Sequence, residues 1–135
     1  MRWVNSESRS MSAHAPSSSA MLRDIARAPE ALAALAARLT EFARFSAAHL
    51  TPEEGGRLYA FGCGDGLFAA EAMAGNFVAE TALEILTYRA PALTKRDRVL
   101  AISMSGNVDR TVAAAEAVRD SGAGLAILTN GDGGR

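Results

Sequence analysis

The feature that most constrains this chain is a recurring unit in which a short, continuously apolar run gives way to a stretch of helical periodicity. LYAF at 58–61, the run 99–103 in RVLAISM and the run 125–129 in GLAILTN are apolar without polar alternation. Strands read that way when both faces of their sheet are covered. LEILTYR adds a further strand near 84–89. Residues 66–81 form the intervening helix. In NVDRTVAAAEAVRDSG, Val108, Val112, Ala115 and Val118 make an apolar stripe closed by Ser121-Gly122, which is a helix with its stop signal. Strands alternating with helices predict an α/β fold, a three-layer doubly wound parallel sheet. Residues 89–98 are short for a crossover, and Pro91 limits the helix they hold. After the fourth strand the sequence ends in LTNGDGGR, so the expected sheet lacks its last strand and helix.

Upstream, residues 21–50 are helical in pattern, with Leu32, Leu35, Leu39, Phe42 and Phe45 recurring on one face. Pro29 belongs in the first turn of a helix, with Glu30 at the positive end of its dipole. The expectation is a short helix at 22–27 and a longer one from Pro29 to His49. The longer one either covers the core or carries a homodimer or partner-domain contact. Residues 1–20 are serine-rich, with an isolated Trp3 and no periodicity, and read as a disordered tail. The alternative is a start at Met11 or Met21. The domain proper is 21–135, truncated at its C-terminus.

Composition narrows the partners. Fourteen basic residues against fifteen acidic ones give a net charge of -1, which supplies no field for nucleic acid. No apolar run approaches the ~20 residues of a membrane span. One cysteine among 135 residues forms no internal disulfide and fits a reducing, cytoplasmic setting. The expected partner is a small molecule, with no nucleic acid, no membrane, no metal and no cofactor.

Two loops fall at carboxyl ends of strands, where doubly wound sheets bind ligands. One is Gly62, Cys63, Gly64, Asp65 and Gly66; the other is Ser103, Met104, Ser105, Gly106 and Asn107. The second offers two hydroxyls, a glycine and a helix start, a convergence of donors suited to an anion or a sugar oxygen. Its alternative reading is a helix cap formed by Ser105 or Asn107. The glycine loop departs from the dinucleotide fingerprint, with Ala69 where that motif places its spacing to a third glycine and Tyr88 and Arg89 where a ribose-binding acid would stand. A nicotinamide cofactor is therefore rejected.

Taken together, GCG, AISMSGNVDRTV and AILTN resemble, in order and spacing, the sugar isomerase (SIS) domain, which binds phosphosugars on a sheet of flavodoxin-like strand order. MLRDIARAPEAL resembles the opening segment of that group, with Asp24, Ile25 and Pro29 in place and Ala28 where glutamine is usual; Glu84, Tyr88 and Asp97 fit the stretch before strand three. The resemblance covers about residues 21–130, and Ser103-x-Ser105-Gly106 is its most specific piece. It implies binding of a carbohydrate derivative, a phosphosugar, as the first of two tandem domains of an aldose–ketose isomerase or deglycase. The second reading is a non-catalytic sugar-sensing module, or a decayed remnant, acting through a partner.

The family's loop hydroxyls hold the phosphate, and here the match is mixed. Ser103, Ser105 and Gly106 agree, whereas Asp65, Gly66 and Val108 replace hydroxyl residues. A carboxylate about 4 Å from a phosphate repels it by about 1 kcal/mol in water and several times more in a partly buried crevice. Asp65 either faces the ligand at that cost or caps its helix and points away. The family's catalytic groups come largely from the second domain and a neighbouring subunit, so no catalytic residue is assigned. His14 and His49 read as solvated or structural, Cys63 as a small residue in a tight turn, and Glu84 as a strand-end or helix-end acid.

Overall fold

The computed structural model describes residues 20–72, 75 and 77–130; the serine-rich tail, apart from Ala20, lies outside them. The chain divides into two compact units, Met1–Leu39 and Thr40–Arg135. In the first, Ala20–Ala37 forms helix α1 with Pro29 inside it, where two helices separated at Pro29 were expected. The Pro29 ring costs about 3 kcal/mol in a helix interior. Its flanks are alanine and leucine, the strongest helix formers, and no residue of α1 is buried, so the carbonyl freed by proline turns to water. The break comes instead at Arg38, whose N–H bonds to the Leu35 carbonyl at 2.9 Å.

After α2 (Leu39–His49) the second unit holds a four-stranded parallel sheet. Its strands are β1 (Leu58–Gly62), β2 (Val78–Thr81), β3 (Arg98–Ser103) and β4 (Gly124–Thr129), ordered β2-β1-β3-β4. That is the doubly wound arrangement. Helix α3 (Asp65–Ala72) follows β1, and α5 (Asp109–Ser121) follows β3. Alternation along the strands divides the core in two. Ala60, Leu100 and Ile102 pack with Ala70 of α3 and with Leu50; Tyr59, Phe61, Val99 and Ala101 pack with Ala114 and Val118 of α5. Fully burying a side chain such as Phe61 or Val118 contributes about 1.5–3 kcal/mol.

The second strand is displaced from its expected place. Residues 84–89 are helical, and VAET at Val78–Thr81 is the strand. Thr81 and Glu84 explain the change. The Thr81 hydroxyl accepts the Glu84 N–H at 3.1 Å, and the Glu84 carboxylate accepts the Thr81 N–H at 2.8 Å, a reciprocal capping box. It starts the short helix α4 (Ala82–Glu84), which continues as a π-helical turn at Ile85–Arg89 and a 3-10 turn at Ala90–Ala92. The crossover to β3 therefore spans residues 82–97, long enough for a parallel connection, and the difficulty posed by 89–98 disappears. Ala82 and Ile85 join the core cluster below α5. Arg89 is paired with Glu80 and lies 5.0 Å from the Tyr59 ring centroid, holding this crossover onto β1 and β2.

Helix α3 stops at Ala72, short of the expected 66–81. On α5 the buried residues are Thr111, Ala114 and Val118, with Ala115 partly buried and Val108 exposed. The buried stripe is thus rotated from the valine-based one. Gly122, at φ 83°, ends α5 in the left-handed conformation glycine tolerates.

Candidate functional site

The order β2-β1-β3-β4 reverses direction between β1 and β3, with α3 on one face and α5 on the other. Crevices in such sheets open at that point, beyond the carboxyl ends of the strands. Both loops lie there. Gly62 is paired in register with Ile102 on one side and with Thr81 on the other, and Ser103 with Thr129. The loops are also bonded to each other's elements: the Thr111 hydroxyl, in the first turn of α5, donates to the Cys63 sulfur at 3.4 Å.

The glycines of the first loop have separate tasks. A Cβ on Gly66 would lie 2.4 Å from the Ile102 carbonyl oxygen, and one on Gly62 would lie 2.6 Å from Gly66 and 2.8 Å from the same oxygen. These two glycines let α3 sit directly on the end of β3. They serve packing inside the protein, where close approach of a ligand was expected. Gly64 differs, with φ 54° and nothing near its missing Cβ, so it makes the turn and stands at the rim.

Backbone donors are fewer than the sequence suggests. Gly66 N–H bonds to the Cys63 carbonyl, and Leu67 and Phe68 N–H to that of Gly64, at 3.0–3.2 Å. In the second loop the Ser103 hydroxyl oxygen accepts from Gly106 N–H at 3.1 Å, and that of Ser105 from Asn107 N–H at 3.3 Å. The loop amides of Gly106 and Asn107 are therefore occupied by their own serines, because a reach of two or three residues suits the hydroxyl to its neighbour. Neither serine caps α5. The capping position belongs to Val108, with no side-chain cap. What the second loop offers a ligand is the proton of each hydroxyl, since an oxygen held by an amide turns its O–H outward.

Asp65 is exposed, and its carboxylate bonds to no described group. It is the first residue of α3, as Asp109 is of α5, so an acid already stands at the positive end of each helix dipole. Met104 is 61% exposed, and its carbonyl accepts from Asn130 N–H at 3.2 Å, which ties the end of β4 to the serine loop. Ser103 and Thr111 are buried. Beside them a groove of about 480 Å³ runs between α5 and β4, with Ser103, Gly106, Thr111 and Thr129 at its polar end.

Glu84 stands as a structural acid: bonds from Thr81 hold its carboxyl below the usual carboxylate range. His49 packs its ring on Phe45, with centroids 4.9 Å apart. Three contributors escaped sequence reasoning: Thr111, Thr81 and Asn130. Thr111 had a signal, being the polar residue at helical spacing from Ala114 and Val118. Thr81 had one in the T-x-x-E pattern, while Asn130 had none.

No family model matches the chain, and no curated protein matches it. Solved structures do. The tagatose-6-phosphate ketose/aldose isomerase from Escherichia coli superimposes with TM-score 0.50 at 20% identity, over 76% of this chain and 31% of that one. An Escherichia coli CFT073 protein in complex with a sugar-phosphate ligand superimposes with TM-score 0.51 at 24% identity, over 70% of this chain and 54% of the other. The fold is shared with these proteins, and this chain spans about a third and about half of their lengths. No helix among the described residues is long and apolar enough to cross a membrane.

Proposed function

We propose that this chain binds a carbohydrate derivative, a phosphorylated sugar, at the crevice between the glycine and serine loops, and that it is the N-terminal SIS-type half of an aldose–ketose isomerase or deglycase. The observation that carries the reading is the pair Ser103 and Ser105. Each oxygen is fixed by a loop amide, at 3.1 and 3.3 Å, which leaves two oriented hydroxyl donors at the switch point of the sheet. The fold shared with a ketose/aldose isomerase and with a protein bound to a sugar phosphate supports it.

Proton transfer between adjacent carbons needs a positioned base, and neither loop carries histidine or lysine. The catalytic groups then come from another chain or domain. That same feature favours a second reading, a sugar-sensing module without activity of its own. Exposed apolar residues on α1 (Leu32, Leu35) and on α2 (Phe42, Phe45) support association with a second copy or partner domain, in a cytoplasmic setting.

The test is thermal. A hexose 6-phosphate at millimolar concentration is expected to raise the melting temperature more than the unphosphorylated hexose does. Ser105→Ala, at an exposed position, is expected to shrink that shift while leaving the ligand-free melting temperature unchanged. No shift with any sugar phosphate overturns the proposal.

A further inference from the structure

Among the described residues, strand β4 pairs only with β3, so its other edge is open to a further strand. Both its faces are open as well: Ile127, toward α5, is 55% exposed and Leu128, on the opposite face, 49%. Its sequence GLAILT holds no charge and no proline, the residues that protect an edge strand from pairing. Parallel sheets are covered on both faces, and this edge lacks that cover.

We infer that the β4 edge is an isologous interface, occupied by β4 of a second copy of this chain running antiparallel to it. A two-fold axis perpendicular to the sheet would join two four-stranded sheets into one of eight strands. The same axis sets α5 beside its symmetry mate on one face. Strands lie about 4.8 Å apart, so helices seated above the β3–β4 step are separated by about 10–14 Å. The groove between α5 and β4 becomes the shared seam, lined by Val112, Ala115, Leu125 and Ile127.

Charge selects this occupant. Glu116 and Arg119 also line the groove, one helical turn apart on α5. When α5 meets its mate antiparallel, Glu116 of each copy faces Arg119 of the other, and long side chains span the remaining gap. A surface that is acidic and basic at a spacing of one turn complements itself only in that orientation. The parallel alternative opposes like charges. This interface is separate from the apolar surfaces of α1 and α2 and does not depend on sugar binding.

Sedimentation equilibrium of the full chain, over a wide concentration series, is the test. The unaltered chain is expected to be a dimer or a higher even oligomer. Ile127→Lys, which puts a charge in the seam, is expected to halve its mass with an unchanged circular dichroism spectrum. Glu116→Arg and Arg119→Glu are each expected to weaken association by about tenfold or more, and the double variant to restore it, since the pair is reciprocal. Should Ile127→Lys unfold, the charge exchange decides alone. A chain monomeric throughout the series, a mass unchanged in Ile127→Lys and in both single variants, or a double variant no better than the singles overturns the inference.

Discussion

The Thr111 hydroxyl reaches the Cys63 sulfur at 3.4 Å across 48 positions of sequence, and so fixes the distance between the two loops of the crevice. Thr111 is buried at 4% exposure, in the first turn of α5, and Cys63 lies between β1 and α3. Thr111→Val keeps the shape and removes the donor. Sulfur is a weak acceptor, so the expected loss of stability is about 0.5–1 kcal/mol, at the low end for a hydrogen bond. The melting curve reads that loss. If the loops act together, the sugar-phosphate shift falls by more than the stability change accounts for, and an undiminished shift shows that the two loops bind independently.

Asp65 decides whether phosphate is held well. Its carboxylate is exposed, one residue beyond Gly64 at the rim, and Asp109 adds a second acid at the start of α5. Removing one charge about 4 Å from a phosphate is worth about 1 kcal/mol in water. Asp65→Ser is therefore expected to tighten phosphosugar binding about fivefold, by titration calorimetry, and to leave the unphosphorylated sugar unaffected. Equal affinity in the variant would place Asp65 away from the phosphate.

The glycine loop yields a contrast between neighbouring positions. Gly66→Ala would place a Cβ 2.4 Å from the Ile102 carbonyl oxygen, a backbone atom that moves only with β3. The expected outcome is a loss of several kcal/mol, about 3 or more, as for other severe overpacking. Gly64→Ala meets open space but must hold φ 54°, at about 1–2 kcal/mol. Chemical denaturation of both variants reads the difference. A Gly66→Ala chain of normal stability that has lost only ligand binding would return this glycine to the ligand.

How far the sequence reveals this molecule follows from which interactions are local. Strands β1, β3 and β4 are evident because residues buried on both sides leave a continuous apolar run, and the parallel α/β class follows from their spacing. The second strand is not, because LEILTYR is as apolar as a strand and VAET, half-buried at the sheet edge, is not apolar enough. The capping box of Thr81 and Glu84 outweighed the β propensity of Ile85, Thr87 and Tyr88. Pro29 misleads for the opposite reason, since a local rule against proline is overridden by strong helix formers on both sides. In the site, positions of the serine loop were legible, but not the use of its hydroxyls. Whether Ser103 serves a ligand or Gly106 depends on a turn geometry that spacing alone leaves open. The tasks of Gly62 and Gly66 depend on where α3 crosses β3, a tertiary fact.

At the opposite end of the sheet, Asp97 gives the fold a defined response to acid. It is buried, and burial by itself raises a carboxyl. Bonds from the Arg57 N–H at 2.8 Å, the Thr94 N–H at 2.8 Å and the Thr94 hydroxyl at 2.9 Å outweigh that effect and hold it below its ordinary value of 3.8. Since the folded state binds this proton less readily than the unfolded chain, the carboxylate's contribution is complete above the unfolded value and declines as pH falls through the folded one. Stability is expected to be flat in this respect above about pH 5 and to drop below about pH 4. Asp97→Ala removes the acceptor for all three donors and is expected to cost about 2–4 kcal/mol, hydrogen bonds to charged groups being among the stronger ones. Asp97→Asn retains one acceptor oxygen, so it is expected to cost less and to show a shallower acid limb in urea melts taken from pH 3 to 7. An acid limb as steep in Asp97→Asn as in the unaltered chain would assign the acid sensitivity to other carboxylates.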